Sequence, residues 1–251
     1  MGEQISIFDI LREPFKIDKP IRLIELFAGY GSQAMALKRL GADFEHYKVV
    51  EFDKYAIASY NAIHGTDYPT VDVNDIHGED LEIIDRDKYS YILTYSFPCT
   101  DISVAGLMQG MSEDSGTRSS LLWQVKRILS ELKEINSLPD VLLMENVPEV
   151  HGDRNIKDFN KWTDFLEELG YSSYLEDLNA SDYGIAQNRL RTFMVSLPSQ
   201  YNYNFPNSMD LRYCMQDYFE VLTEEQAMQL VVKSPKAHDL LVKLDAENRL
   251  F

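Results

Sequence analysis

An apolar run, Ile21-Arg22-Leu23-Ile24-Glu25-Leu26-Phe27, passes through a glycine-containing turn, Ala28-Gly29-Tyr30-Gly31-Ser32, into a helical pattern over 33–40 that Gly41 ends. A strand, a tight turn and a helix in that order must be followed by a crossover, and the pattern does recur. Strands are expected at 46–51, 89–95 and 141–144, with another ending near Asp72, and helices at 54–63, 119–132 and 160–169. Such alternation predicts a doubly wound α/β fold, its sheet mostly parallel and covered by helices on both faces. Two more strands, 172–179 and 191–197, read as an antiparallel, hairpin-like addition at one edge. Pro20 closes an irregular lead-in over 1–20, because the residue before proline disfavours helix. After Pro198 the chain turns rich in Tyr, Asn and Pro, which sets a body at 21–200 and a mostly helical tail at 201–251.

Composition narrows the function classes. A chain of 251 residues with 45% hydrophobic and 26% charged residues can bury a sizeable core and is not a disordered sequence. No apolar run reaches the roughly 18 residues of a membrane span. Cys99 and Cys214 lie far apart and show no metal-ligand spacing, which fits a reducing, cytoplasmic compartment with no metal. A net charge of −17 argues against a broad phosphate-binding face.

Chemistry-bearing residues cluster at the carboxyl ends of the predicted strands, where doubly wound sheets bind ligands. Phe27, Ala28, Gly29 and Gly31 form the first turn, which suits a nucleotide-like ligand with Phe27 as an apolar wall. Glu51, 20 residues after Gly31, can accept hydrogen bonds from both hydroxyls of a ribose. Phe52 can stack on an adenine and Asp72 can receive its amine, although a surface-turn carboxylate explains Asp72 as well. Cys99, in Ser96-Phe97-Pro98-Cys99, is either a nucleophile or a small buried hydrophobe. The stretch beyond it, through Gly106 to Gly116, reads as a loop able to close over a substrate. Glu145, in Met144-Glu145-Asn146-Val147-Pro148, faces the same crevice and can protonate a substrate nitrogen, although a helix N-terminal charge preceding Pro148 explains it as well. Gln187-Asn188-Arg189-Leu190-Arg191 sets two arginines on one face of an extended segment, where they suit a carbonyl oxygen or a phosphate.

Taken in order, these motifs over 21–197 resemble the DNA (cytosine-5)-methyltransferase family. The resemblance implies a seven-stranded, Rossmann-like methyltransferase sheet, S-adenosyl-L-methionine as methyl donor, and a cytosine flipped out of double-stranded DNA. It further implies catalytic roles for Cys99, Glu145, Arg189 and Arg191. The donor site would comprise Phe27, Ala28, Gly29, Gly31, Glu51, Phe52, Asp72, Val73 and Pro98, and Ser103, Asn146 and Gln187 would contact the substrate. Glu25 stands where the family more often has Asp, and Thr100 and Asp101 replace residues common after the cysteine. No target recognition domain or closing segment is recognisable after Arg191, so the chain resembles a catalytic half encoded by a bacterium or phage, either a fragment or the larger subunit of a split enzyme completed by a second subunit. A tRNA cytosine-5 methyltransferase and a non-catalytic donor-binding or partner-binding relative stand as alternatives.

Overall fold

The computed structural model describes residues 12–99, 102, 110–113, 116–231 and 233–247. Its centre is a six-stranded sheet built from β1 (Ile21–Leu26), β2 (Phe44–Val50), β3 (Ser90–Tyr95), β4 (Val141–Asn146), β5 (Tyr171–Asn179) and β6 (Leu190–Pro198). The spatial order is β2-β1-β3-β4-β6-β5; the first four strands pair in parallel, and β6 runs antiparallel to both β4 and β5. Four helices follow strands as the alternation requires: α1 (Ser32–Leu40), α2 (Lys54–His64), α3 (Leu122–Glu134) and α4 (Ile156–Glu168). In the tail lie α5 (Glu224–Gln229) and α6 (Pro235–Ala246).

The seventh expected strand is absent among the described residues. Val71 donates one backbone hydrogen bond to the Glu51 carbonyl, but Asp72 then accepts from both the Asn74 backbone N–H and the Asn74 side-chain amide. That Asx turn bends the chain before a ladder can extend. Val73 is nevertheless buried against the main core.

The two sheet faces differ. Ile24, Leu26, Leu93, Leu142, Met144 and Met194 pack under α3 and α4, with Trp162 wholly buried and donating its indole N–H to the Tyr95 hydroxyl at 3.2 Å. On the other face α2 packs Ile57 and Tyr60 against Val49, and α1 covers β1. Ile92, Leu143 and Phe193, further across that face, stay half-buried and line an open cleft. A parallel sheet ordinarily has both faces covered. From Asn207 through Glu247 no described residue is buried, in contrast to the body. No helix among the described residues is long and apolar enough to cross a membrane.

Candidate active site

The first turn is shaped by backbone conformations that few residues tolerate. Phe27, Gly29 and Gly31 all take left-handed conformations, at φ of 58°, 57° and 81°. For Phe27 this is a cost, and backbone held in such a state marks a place where geometry is kept for a purpose. A Cβ at Gly29 would meet nothing within 4 Å, so the turn presents its backbone to open space. At Gly31 a Cβ would fall 2.4 Å from His64 Nε2 and 2.6 Å from the Tyr60 ring, so only glycine fits where the turn meets α2.

Glu51 fastens this turn. The buried carboxylate accepts the Gly29 N–H at Oε2 (2.9 Å) and the Asp53 N–H at Oε1 (2.8 Å). Asp53 in turn caps α2 through the Tyr55 amide at 2.7 Å. Each oxygen of Glu51 keeps a further lone pair for an incoming hydroxyl. Around it opens a cavity of about 250 Å³ whose walls include Phe27, Glu51, Phe52, Asp72, Val73 and Pro98. Phe52 is 65% exposed, a large apolar ring left available for stacking. Asp72 reaches the same wall, although one of its oxygens is committed to its own turn.

A larger cavity of about 730 Å³ adjoins the first, and Phe27 and Ser96 line both. Gln33 Nε2 donates to Ser96 Oγ at 3.2 Å and so ties α1 to the loop leaving β3. Glu145, at the end of β4, projects into the larger cavity beside Arg191, whose Nε lies 3.1 Å from Glu145 Oε1. The antiparallel register places Phe193 opposite Glu145, and the alternation of side chains along β6 then puts Arg191 on the same face. Arg189 lines the cavity from the turn between β5 and β6 and is itself exposed. Asn179 braces that turn, accepting the Arg189 backbone N–H at 2.9 Å and donating to Asn188 Oδ1 at 2.7 Å.

Cys99 is half-buried on the loop that leaves β3, one residue beyond Pro98, and packs against the main core; its side chain lines neither cavity. Asn146 is drawn inward. Its Nδ2 donates to the Phe97 carbonyl at 3.0 Å, which ties the cysteine loop to β4, and its Oδ1 accepts the N–H of the next residue, Val147. Gln187 is exposed and its backbone N–H closes a tight turn on Ile185. Ser103, Thr100, Asp101 and most of the expected closing loop lie outside the described residues. No group of three or more His, Cys, Asp or Glu that could hold a metal occurs among the described residues.

Comparison with known proteins places the chain in a family. The family model for C-5 cytosine-specific DNA methylases matches residues 21–247. The chain belongs to that family. It is 34% identical over 255 aligned positions to the type II methyltransferase M2.ScrFI of Lactococcus lactis, covering 82% of this chain and 69% of that protein. It is 33% identical to the orphan methyltransferase M.SssI of Spiroplasma monobiae and 32% identical to M.HhaI of Haemophilus parahaemolyticus, covering 73% and 84% of this chain but 61% and 60% of those proteins. Among solved structures, the Entamoeba histolytica methyltransferase EhMeth superposes with a TM-score of 0.66 at 17% identity, over 83% of this chain and 62% of that one. The Schizosaccharomyces pombe Dnmt2 methyltransferase does so at 0.55 and 20%, over 79% and 53%. These likenesses establish a methyltransferase fold with a mixed sheet for this member of the family.

Sequence reasoning missed Ser96 and Gln33, which join the two cavities, and Tyr183, which lines the larger one. A serine directly after an apolar strand is the signal that marks Ser96. The left-handed Phe27 has no such signal.

Proposed function

We propose that this chain carries the catalytic machinery for moving a methyl group from S-adenosyl-L-methionine to C5 of cytosine in double-stranded DNA. The observation that carries this reading is the pair of adjoining cavities sharing Phe27 and Ser96: one is built on a backbone turn and the Glu51 carboxylate, the other on the Glu145–Arg191 pair. The smaller cavity suits the donor. Glu51 would hold its ribose hydroxyls, Phe52 would stack on its adenine, Asp72 would take the exocyclic amine, and Val73 and Pro98 would close the walls. The donor supplies an electrophilic methyl on a sulfonium.

Cytosine C5 is a weak nucleophile, so the ring must first be activated. Cys99 Sγ, as thiolate, forms a bond to C6, and the ring electrons shift toward C5 and N3. Glu145 shares a proton with N3 and relieves the charge that would otherwise build on the ring. Arg191 holds Glu145 in place through the ion pair, and Arg189 supplies a donor to the ring's O2. After methyl transfer a base removes the C5 proton and the C6–Sγ bond breaks, releasing Cys99. For this to happen Cys99 must turn from its core packing toward the larger cavity when the base enters.

Recognition of DNA is assigned to a part beyond this chain's match to its relatives. Three observations support that division: the net charge of −17, the half-buried Ile92, Leu143 and Phe193 on an uncovered sheet face, and coverage of 69% or less of the curated relatives' own length. The proposed completing part, a further segment of the protein or a second polypeptide, brings basic surface and closes over the cleft that Ile92, Leu143 and Phe193 share with Glu145 and Arg191. A bacterial or phage cytoplasm fits such an enzyme. The test is methyl transfer from labelled donor to duplex DNA and to tRNA side by side, with and without a co-expressed completing polypeptide. DNA labelling that requires the completing polypeptide is expected; labelling of tRNA alone would redirect the substrate assignment, and full activity without it would remove the division of labour.

A further inference from the structure

Directly beneath the turn proposed to hold the donor lies a chain of hydrogen bonds that the catalytic scheme does not use. Glu25, the next-to-last residue of β1, is completely buried. Its Oε2 accepts the Tyr60 hydroxyl at 2.6 Å, and His46 Nδ1 lies 2.6 Å from the same hydroxyl. Its other oxygen, Oε1, is buried and closes no hydrogen bond, although the Ala34 amide in the first turn of α1 lies near enough to favour the charged form. A bulge between Leu23 and Ile24 sets this up: Leu23 pairs with His46, which puts His46 on the same face as Leu23 and Glu25.

We propose that Glu25 is a positioning residue for the donor turn, and that protons reach it from solvent along His46 and Tyr60, so that donor binding strengthens as Glu25 ionises. Glu25 and Tyr60 are sealed from water, whereas His46 is half-buried and offers the only step toward solvent along this chain of bonds. Tyr60 has one proton to give. With Glu25 ionised, Tyr60 donates to the carboxylate and must accept from His46, which therefore carries its proton on Nδ1. When a proton arrives at His46 Nε2, the Nδ1 proton passes to the Tyr60 oxygen and the Tyr60 proton passes to Glu25. One proton has entered, Glu25 is neutral, and His46 has changed from the Nδ1–H to the Nε2–H tautomer.

The groups facing this chain fix where it titrates. Burial pushes the Glu25 carboxyl up to about 7, and the Tyr60 hydrogen bond offsets only part of that rise. Burial likewise raises Tyr60, together with the Glu25 charge and, from the following loop, Tyr68, which itself lies in the field of Glu45. His46 is held below its ordinary value by burial, by His64 on α2 and by Lys38 on α1, which favours the neutral ring that a relay needs. His64 completes the link to the turn. Its ring lies 4.8 Å from His46 and 4.5 Å from Tyr60 between centroids, its Nε2 lies 3.0 Å from the Tyr30 carbonyl, and it packs with Tyr60 over Gly31.

This rests on the turn being the donor site. A cationic donor seated above it favours the ionised carboxylate, lowering the Glu25 midpoint in the bound state; by linkage, affinity then falls as pH drops through the midpoint of the free protein. If the midpoint moves down by about one unit, affinity at pH 6 is about fivefold weaker than at pH 8. The test is calorimetric titration of S-adenosyl-L-methionine into the full chain from pH 6 to 8, with Glu25→Gln and Tyr60→Phe beside it. A pH-dependent wild type, a flat Glu25→Gln and a Tyr60→Phe midpoint moved to higher pH are expected. A flat wild type, or equal dependence in Glu25→Gln, overturns the proposal. Nitrogen NMR of the His46 ring reads the relay without any donor. A tautomer change near pH 7 that Glu25→Gln abolishes supports the relay, and a ring unchanged between pH 5.5 and 8.5 in the folded wild type overturns it. A tautomer change in a protein that binds no donor at any pH would instead overturn the assignment of the turn.

Discussion

The two halves of the candidate site are built from different materials. The donor side is made mostly of backbone: a turn with three left-handed residues, two amides fastened to Glu51, and a capped helix. The base side is made of side chains, with Glu145 and Arg191 reaching from neighbouring antiparallel strands and Arg189 standing exposed on a turn. Backbone scaffolding costs no reorganisation when a ligand arrives, whereas long side chains must be ordered at the moment of reaction. Under the proposed assignment the donor half is a preformed receptor and the base half a set of parts that the substrate assembles.

Substitutions should separate the halves accordingly. The largest effect belongs to Cys99→Ser, which replaces the thiolate with a poor nucleophile; methyl transfer is expected to disappear within assay limits while donor affinity measured by calorimetry stays within about twofold. Next comes Glu145→Gln, which removes the proposed proton partner for N3 and leaves Arg191 without its carboxylate. A loss of about 10²- to 10⁴-fold in transfer is expected, again with donor affinity preserved. A parallel loss of donor affinity in either variant would show that the two cavities are one functional unit.

Glu51→Ala strikes the other half. It deprives the Gly29 and Asp53 amides of their acceptor as well as removing the proposed contact to ribose, and donor binding should weaken by about 1.5 to 3 kcal/mol. Unchanged affinity in calorimetry would remove Glu51 from the donor site. The smallest expected effect is that of Gln33→Ala, which cuts the single hydrogen bond between α1 and Ser96 where the cavities meet. Loss of about 0.5 to 1.5 kcal/mol in kcat/KM is expected, because the bond is neutral and partly exposed. A larger loss would mean that the junction itself does the positioning.

Legibility in the sequence followed the same divide. The β1 turn, Glu51 and the strand ends bearing Cys99 and Glu145 were readable because apolar runs and the glycines that end them leave few alternatives. The expected strand before Asp72 was not formed, since one aspartate with an asparagine two residues on closes a turn that competes with a ladder. The substrate contact expected of Asn146 rests on the resemblance alone, and its inward hydrogen bond to the Phe97 carbonyl is a long-range contact that the sequence does not announce. Glu25 was visible as a carboxylate inside an apolar strand, but its partners Tyr60 and His46 come from α2 and β2, and long-range pairing of that kind leaves no mark at short spacing. In the tail only α5 and α6 are α-helical among the described residues, and the lack of burial from Asn207 onward is a tertiary property that periodicity does not report.

The central claim is that Cys99 bonds to C6 of a cytosine held beside Glu145. Duplex DNA carrying 5-fluorocytosine tests it directly, because fluorine at C5 cannot leave as a proton and the enzyme stays joined to the ring after methyl transfer. The complex should be formed with the donor and the completing polypeptide, digested, and the modified peptide identified by mass spectrometry. The account predicts a donor-dependent adduct on Cys99, absent in Cys99→Ser. An adduct on the exposed Cys214, or one that persists in Cys99→Ser, would contradict it.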